Sequence, residues 1–316
     1  MDVFDNIGRN YDFYPNTSIA LCAIAYDDMS AIHGEVSSQT GLQVVWGPAE
    51  LKSWDDISYS RAYIAGDIGT GEYFVVIRGT NFDSIVSWRK QDFDIAKTRP
   101  FGTLPGNPPG VPADALIAQG SFNGMSDLLK LHDPRTGASM LQFLNALQPR
   151  YLYVTGHSLG GTLTPTLFAY LNAMLYGAGP VTNMALWSFA GLTAGGTGFN
   201  AYFNSILPND QGFLWRIQNS LDVAPLCWWS YPGIQQIYVP YDLHWDCIDK
   251  DAVEDLFADA AKARIGYAHP QPGLVLPGAF DDGILDGDVW ALQALHQHHP
   301  ATYQALLKIR YPNGGR

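Results

Sequence analysis

Residues 151–161 of this 316-residue sequence read Tyr-Leu-Tyr-Val-Thr-Gly-His-Ser-Leu-Gly-Gly. The run Tyr151–Thr155 is short and largely apolar, aromatic or β-branched, which is typical of a buried strand. The residues from Leu159 to about Leu175 have the apolar pattern of a helix. The G-x-S-x-G stretch Gly156–Gly160 therefore joins a strand to a helix, and this is the position of a nucleophile elbow.

The residue types of this stretch suit such a turn. A sharp strand-to-helix turn strains the backbone of its serine, and the residues two positions away must lack a β-carbon to avoid clashes. Gly156 and Gly160 meet that requirement. The turn also places the hydroxyl of Ser158 at a helix N-terminus, where amide groups and the helix dipole favour negative charge. We predict that Ser158 is a nucleophile; the alternative is a glycine-rich turn with a capping serine.

The segments on both sides of the elbow alternate between predicted strands and predicted helices, and a Pro- and Gly-rich extended loop is predicted at 99–114. The pattern predicts strands at 61–65, 72–77, 151–155, 184–189, 213–217 and 236–239, and helices at 17–29, 136–147, 159–175, 252–264, 287–296 and 300–310. This alternation predicts an α/β fold with a mostly parallel central sheet and helices on both faces. No change of composition marks a linker, so one domain over 1–316 is the simpler interpretation.

The overall charge excludes one class of partner. Lys and Arg number 18 against 30 Asp and Glu, a net charge of -12, which repels nucleic-acid phosphates and anionic membrane surfaces. No apolar run is long enough to span a membrane. The start Met1–Asp5 lacks the basic flank of a secretory signal, which leaves a cytoplasmic protein or a secreted one whose signal has been removed. Of the three cysteines, Cys22, Cys227 and Cys247, the last two could form a disulfide.

An acid and a base are expected after the serine, in that order. Asp222 follows the predicted strand 213–217 in a short loop closed by Pro225, at the end of a parallel strand where site residues lie. A turn-stabilising aspartate is the alternative. His298 and His299 precede Pro300, and residues before proline avoid helical geometry, so this pair is expected on a loop.

Several segments, in the same order, resemble the class 3 (fungal-type) lipase family, which has the α/β-hydrolase fold. The elbow Gly156–Gly161 carries the resemblance, and four further segments agree with it. These are Ala20–Tyr26, which resembles the family's first helix; Val76–Thr80, its oxyanion segment; Gln119–Phe122, which precedes the pre-nucleophile helix; and Arg216–Pro225, its acid loop. The segment Ala190–Gly195 departs from the family's usual Gly-x-Pro-x-x-Gly, so the resemblance does not extend to the shape of that loop.

The resemblance implies roles for individual residues. It places the base before the final helix with a tyrosine four or five positions later, which favours His298 over His299 and His296 because Tyr303 follows. It assigns the oxyanion hole to Thr80, together with the backbone amide of Leu159 that the elbow itself predicts. It also implies a lid at about 81–92, and Trp228, Trp229 and Tyr231 could line an acyl groove or simply belong to the core.

No cofactor is required for this chemistry, and the candidate metal sites are weak. Three groups lack the spacing of known zinc or calcium sites: His296 with His298, the run Asp242–Cys247, and the aspartates at 281–288. We therefore expect a serine hydrolase acting on lipid esters, with possible peripheral contact with a lipid interface. The alternatives are a carboxylesterase for short soluble esters, a phospholipase A, or an inactive binding module on a hydrolase fold.

Overall fold

The computed structural model describes residues 13–52, 58–79, 94–177, 179, 183–207, 214–245, 250–270 and 273–312. Eleven strands lie within these ranges. They are β1 (Gln43–Lys52), β2 (Ser58–Asp67), β3 (Glu72–Ile77), β4 (Thr98–Pro100), β5 (Leu116–Ala118), β6 (Tyr151–His157), β7 (Met184–Phe189), β8 (Gly195–Gly196), β9 (Leu214–Asn219), β10 (Tyr267–Ala268) and β11 (Gly273–Leu276).

Seven of these strands form the central sheet, in the order β1-β2-β3-β6-β7-β9-β11. The pairs β1–β2 and β2–β3 are antiparallel, whereas β3, β6, β7, β9 and β11 are parallel to one another. The predicted mostly parallel sheet is therefore confirmed. All parallel strands end at one edge of the sheet, and the segments that follow β6 and β9 meet there.

Ten α-helices accompany the strands in the described ranges, and they cover both faces of the sheet. They are α1 (Phe13–Ile24), α2 (Ile32–Thr40), α3 (Gln119–Leu128), α4 (Met140–Leu147), α5 (Leu159–Tyr176), α6 (Thr197–Ser205), α7 (Tyr231–Gln236), α8 (Lys250–Lys262), α9 (Val289–His298) and α10 (Pro300–Arg310).

Alternation along the strands separates two hydrophobic cores. In β3, Val75 and Ile77 pack with α3, α4, α5 and α6, while Phe74 and Val76 pack with α1, α2 and α10. This strand is buried along its whole length because helices cover both of its faces. Burial on both sides fixes the register of each strand, since a shift by one residue would exchange the two sets of side chains.

A small second sheet was not predicted. It consists of β10, β8, β5 and β4 in that order, all paired antiparallel. The predicted loop at 99–114 accordingly begins with β4 and a 3-10 turn at Phe101–Thr103, and only the rest is irregular. The helix predicted at 17–29 lies at Phe13–Ile24, four to five residues earlier.

The predicted strand at 236–239 is wrong. This segment joins the end of α7 to a 3-10 turn at Val239–Tyr241. Ile234 and Tyr238, four residues apart, are both buried in a third cluster of apolar residues beside the sheet edge. Spacing by four places two side chains on one helical face, so the apolar residues here belong to a helical turn. The last strand of the sheet is instead β11, which the sequence did not reveal.

Two cysteines of the described chain are free thiols. Cys22 and Cys227 are both buried, and burial raises the pKa of Cys22 to about 12. Cys247 lies outside the described residues, and Cys227 is not bonded to it. Among the helices that the structure describes, none combines the length and the apolar character needed to cross a membrane.

Candidate active site

Ser158 lies at the turn between β6 and α5, at the edge where the parallel strands end. Its backbone has φ 61° and ψ -124°, a left-handed conformation that a residue with a side chain rarely adopts. The amide of Ser158 donates to the carbonyl of Phe189 on the neighbouring strand at 3.0 Å. This bond and the packing around it hold the strained turn in place.

The two glycines of the elbow are required by close backbone contacts. A β-carbon on Gly160 would lie 2.3 Å from the carbonyl oxygen of Ile77, and one on Gly156 would lie 2.3 Å from the carbonyl oxygen of Gly160. Both distances are far inside van der Waals contact. The turn is therefore possible only where both residues lack a side chain, as the sequence predicted.

Helix α5 begins at Leu159, directly after the serine. The carbonyl of Ser158 accepts from the amide of Thr162 at 2.9 Å, so the amide of Leu159 belongs to the first turn and has no place in the helical ladder. The helix dipole adds positive potential at this end. Leu159 thus presents the kind of donor that an oxyanion hole needs. The other predicted donor, Thr80, and the predicted lid at 81–92 lie outside the described residues.

His298 and Asp222 meet Ser158 from two other parts of the chain. Nε2 of His298 lies 2.9 Å from Oγ of Ser158, and Nδ1 lies 3.1 and 3.0 Å from the two carboxylate oxygens of Asp222. All three residues are buried. The structure therefore brings the predicted nucleophile, base and acid together in one hydrogen-bonded row.

Asp222 follows β9 by three residues and is surrounded by donors. Its Oδ1 accepts from the amide of Ala224 at 2.9 Å, and its Oδ2 accepts from the hydroxyl of Tyr303 at 2.7 Å. The Tyr303 oxygen accepts in turn from the amide of Asn219 at 3.0 Å. With Nδ1–H of His298, the carboxylate has three donors, which suits an ionised acid. Tyr303 entered the sequence analysis only as a spacing marker, so its bond to the acid was missed.

His298 is the last residue of α9, and the loop predicted for this pair of histidines is wrong at that position. His299 alone has the extended backbone expected before proline, and its Nδ1 accepts from the amide of Ala301 as the N-cap of α10. The side chain of Asn219 binds Gln297, the residue directly before His298. It donates to the carbonyl and to Oε1 of Gln297 at 3.0 and 2.7 Å, so the end of β9 is hydrogen-bonded to the residue next to the base.

The other histidines of the C-terminal part lie elsewhere. Nε2 of His296 is 3.9 Å from a carboxylate oxygen of Asp281 on the surface, and His244 is exposed. Burial and nearby Arg216 lower the pKa of His269 to about 3, and its Nε2 lies 2.6 Å from the carbonyl oxygen of Pro225. None of these three histidines is shown to contact a serine, whereas His298 contacts both a serine and a carboxylate.

Two further sequence features are the segment 190–195 and the candidate metal sites. Residues 190–195, which depart from the family pattern, form a buried segment. In it, the amide of Leu192 donates to Thr162 and the hydroxyl of Thr193 donates to the carbonyl of Cys227. Among the residues that the structure describes, no three His, Cys, Asp or Glu side chains cluster as a metal site would require, and Asp246 is outside them.

The aromatic residues after the acid divide between core and surface. Trp228 is buried, whereas Trp229 is 48% exposed. Both line an open cavity of about 510 Å³, together with Tyr231 and Phe257. Of the three predicted groove residues, Trp228 thus belongs mainly to the core, and Trp229 and Tyr231 face a space that could take an apolar ligand.

The central part of the chain matches a known protein family. Residues 74–229, which include the elbow and the acid loop, match the family described as Lipase (class 3). Over these residues the chain is similar to the class 3 lipase family. The chain is a carboxylic ester hydrolase, and the resemblance noted from the sequence is confirmed.

Solved structures of lipases share the fold of this chain. The M37 lipase has a TM-score of 0.74 and 24% identity, covering 96% of this chain and 95% of its own. The LIP2 lipase of Yarrowia lipolytica has a TM-score of 0.55 and 16% identity, with 86% and 79% covered. A triacylglycerol lipase from Penicillium expansum has a TM-score of 0.51 and 16% identity, with 88% and 82% covered. The fold is that of the α/β-hydrolases. No curated protein matches the sequence.

Proposed function

We propose that this protein hydrolyses lipid esters with Ser158 as nucleophile, His298 as general base and Asp222 as the acid that orients the base. One observation carries the proposal: an unbroken row of hydrogen bonds runs from Oγ of Ser158 through the imidazole of His298 to the carboxylate of Asp222. A serine hydroxyl is a weak nucleophile by itself, and a base within hydrogen-bond reach that is oriented by a third group activates it.

In the first half of the reaction, Oγ of Ser158 attacks the ester carbonyl carbon while its proton passes to Nε2 of His298. The imidazolium that forms is stabilised by the carboxylate of Asp222, which holds Nδ1–H. His298 then gives the proton to the departing alkoxide. The C–O bond of the ester breaks, the alcohol leaves, and the acyl group stays on Ser158.

The tetrahedral intermediate carries a negative charge on the former carbonyl oxygen. The amide of Leu159 at the start of α5 and Thr80, which the family resemblance assigns, are the proposed donors to that oxygen. Loss of one such donor typically lowers the rate by about 10²–10³. In the second half, His298 takes a proton from water, and the hydroxide formed attacks the acyl-enzyme. The fatty acid is released and Ser158 recovers its proton.

Support for a lipid substrate comes from the family and from the cavity beside the acid loop. The exposed ring of Trp229 and the neighbouring rings of Tyr231 and Phe257 offer apolar area to an acyl chain. Burial of apolar area contributes about 25 cal/mol per Å². The Penicillium expansum enzyme of the same fold is named a triacylglycerol lipase, and we extend that substrate class to this chain.

The nucleophile is tested by labelling with a fluorophosphonate. Wild-type protein should take up one label, and Ser158→Ala should take up none while its turnover falls by about 10⁴ or more. Ser126→Ala is the matched control, because the Ser126 hydroxyl donates only to the carbonyl of Phe122 within its own helix. Full labelling of Ser158→Ala would move the nucleophile to another serine. A wild-type protein that takes no label would make the chain a binding module.

The substrate is tested by hydrolysis of p-nitrophenyl esters from C2 to C16, with and without an oil–water interface. We expect a preference for medium or long chains and higher activity at the interface. Trp229→Ser should reduce hydrolysis of the long esters selectively, whereas Leu285→Ser, a change at another exposed apolar residue, should not. A preference for acetate or butyrate without response to an interface would identify a carboxylesterase, and release of fatty acid from phospholipids alone would identify a phospholipase A.

A further inference from the structure

His157, the residue before the nucleophile, is buried and makes two directed hydrogen bonds. Its Nε2 lies 2.8 Å from the carbonyl oxygen of His298, and its Nδ1 lies 3.1 Å from the hydroxyl of Tyr26. A carbonyl only accepts, so Nε2 must carry the proton. Nδ1 of the neutral ring is then an acceptor, and the Tyr26 hydroxyl donates to it. The surroundings thus select one tautomer of His157.

The ring of His157 is also kept neutral. Burial and the neighbouring His298 place the pKa of His157 well below its ordinary value. The two imidazoles lie with their centroids 4.8 Å apart. A neutral ring adds no charge beside the base, and its N–H fixes the position of the His298 backbone. His157 therefore contacts the base without exchanging a proton with Ser158.

Tyr26 links this ring to the end of β3. Its hydroxyl accepts a hydrogen bond from the backbone of Gly79, the residue directly before Thr80. The fit is close, because a β-carbon on Gly79 would lie 2.3 Å from the Tyr26 oxygen and 2.5 Å from the carbonyl oxygen of His157. One hydroxyl thus accepts from the segment that leads into the predicted oxyanion donor and donates toward the base.

We infer that Tyr26 and His157 form a positioning relay, which holds the backbone of Gly79 at a set distance from the base His298 through three consecutive hydrogen bonds. The inference rests on the proposed function. Neither side chain is a catalytic residue in it, since both act through the backbone of others. The relay matters because oxyanion donors and base must meet one ester carbonyl at the same time, and a misplacement of about 1 Å can cost about 10²-fold in rate.

The test compares Tyr26→Phe with a matched control, Tyr63→Phe. Tyr63 is buried in the same core, and its hydroxyl donates to the carbonyl of Leu21 at 2.7 Å. Tyr63→Phe therefore removes one buried tyrosine hydrogen bond, as Tyr26→Phe does, but outside the site. On a soluble p-nitrophenyl ester, Tyr26→Phe should lower kcat about tenfold, part of that 10²-fold range, and leave KM within about twofold. Tyr63→Phe should leave both unchanged.

Two variants of His157 sharpen the result. His157→Gln keeps an N–H that can donate to the His298 carbonyl and should retain much of the kcat. His157→Leu removes that donor, and its kcat should fall as far as that of Tyr26→Phe or further. If His157→Leu does not fold, Tyr26→Phe decides alone. Nitrogen-15 NMR of the histidine rings provides a readout independent of activity. Wild-type His157 should show a single Nε2–H tautomer, and Tyr26→Phe should keep that tautomer while its Nδ1 resonance shifts, because Nδ1 loses the donated hydrogen bond.

The outcomes separate this inference from the proposed function. Equal kcat for Tyr26→Phe and Tyr63→Phe, with the Nδ1 resonance of His157 unchanged in Tyr26→Phe, would overturn the relay. A change in KM with kcat unchanged would also overturn it, because Tyr26 would then bind substrate directly. Absence of ester hydrolysis and of phosphonate labelling in the wild type would refute the proposed function, while the tautomer of His157 would still report on the hydrogen bonds.

Discussion

Replacement of Asp222 by asparagine should place the base in the wrong tautomer. The carboxylate accepts from three donors, the amide of Ala224, the hydroxyl of Tyr303 and Nδ1–H of His298. An asparagine keeps one acceptor oxygen, which the fixed amide of Ala224 retains. Its NH₂ group then faces His298, so Nδ1 must accept and the proton moves to Nε2, opposite Oγ of Ser158. A base in this form cannot take the serine proton.

The expected loss in kcat/KM is about 10⁴, the magnitude that a wrong tautomer costs in serine hydrolase triads. At 1.36 kcal/mol for each factor of ten this corresponds to about 5.4 kcal/mol of transition-state stabilisation. The assay is hydrolysis of p-nitrophenyl butyrate at pH 7, with folding checked by circular dichroism. Asp281→Asn is the matched control, because its carboxylate lies 3.9 Å from Nε2 of another histidine, His296, at the surface. Activity of Asp222→Asn within about tenfold of wild type would refute the tautomer argument.

Three further predictions concern the surroundings of the site. His299→Ala should keep most of the kcat and lose about 1 kcal/mol of stability in urea denaturation, since it removes the N-cap of α10 and leaves the side chains of the proposed triad in place; activity as low as that of His298→Ala would reassign the base. Tyr303→Phe removes a hydrogen bond to Asp222 and should lower the free energy of unfolding by about 2–4 kcal/mol in the same experiment. A decrease below about 1 kcal/mol would show that this hydrogen bond does not stabilise the fold. Burial alone would raise the pKa of Asp133, but Arg135 and three backbone amides together lower it to about 2. Because this folded-state pKa is below the unfolded value of about 3.9, the wild type should lose about 2 kcal/mol as the pH falls from about 5 to 2, whereas Asp133→Asn should not.

The parts of the fold that the sequence predicted are those with long, uniform patterns. Strands β3 and β7 have the predicted bounds, 72–77 and 184–189, because each is covered on both faces and reads as a continuous apolar run. Strand β11 escaped prediction because only Leu274–Leu276 are apolar, between Pro272 and Pro277. Its place in the sheet depends on pairing with β9, which is a tertiary contact that no local pattern encodes.

The residues of the candidate site also divide into those that local sequence predicts and those that depend on tertiary contacts. Ser158, Leu159 and Asp222 are tied to a strand end or a turn that the local sequence specifies, so spacing alone brought them into consideration. His298 needed the family resemblance, since five histidines follow the acid and their spacing does not distinguish them. Tyr26 and His157 could not be found at all, because they are 131 residues apart and meet only through tertiary packing.

The proposed base is the last member of the proposed triad to be synthesised. His298 and Ser158 are 140 residues apart in the chain, and Tyr303 follows the base by five. During synthesis at about 5–20 residues per second, roughly 7 to 28 s separate the appearance of the nucleophile from that of the base. In that interval the nascent chain lacks the imidazole of His298, which contacts Oγ of Ser158 in the folded protein. On the proposed mechanism, ester cleavage therefore begins only once α9 and α10 have docked and brought His298 to Ser158.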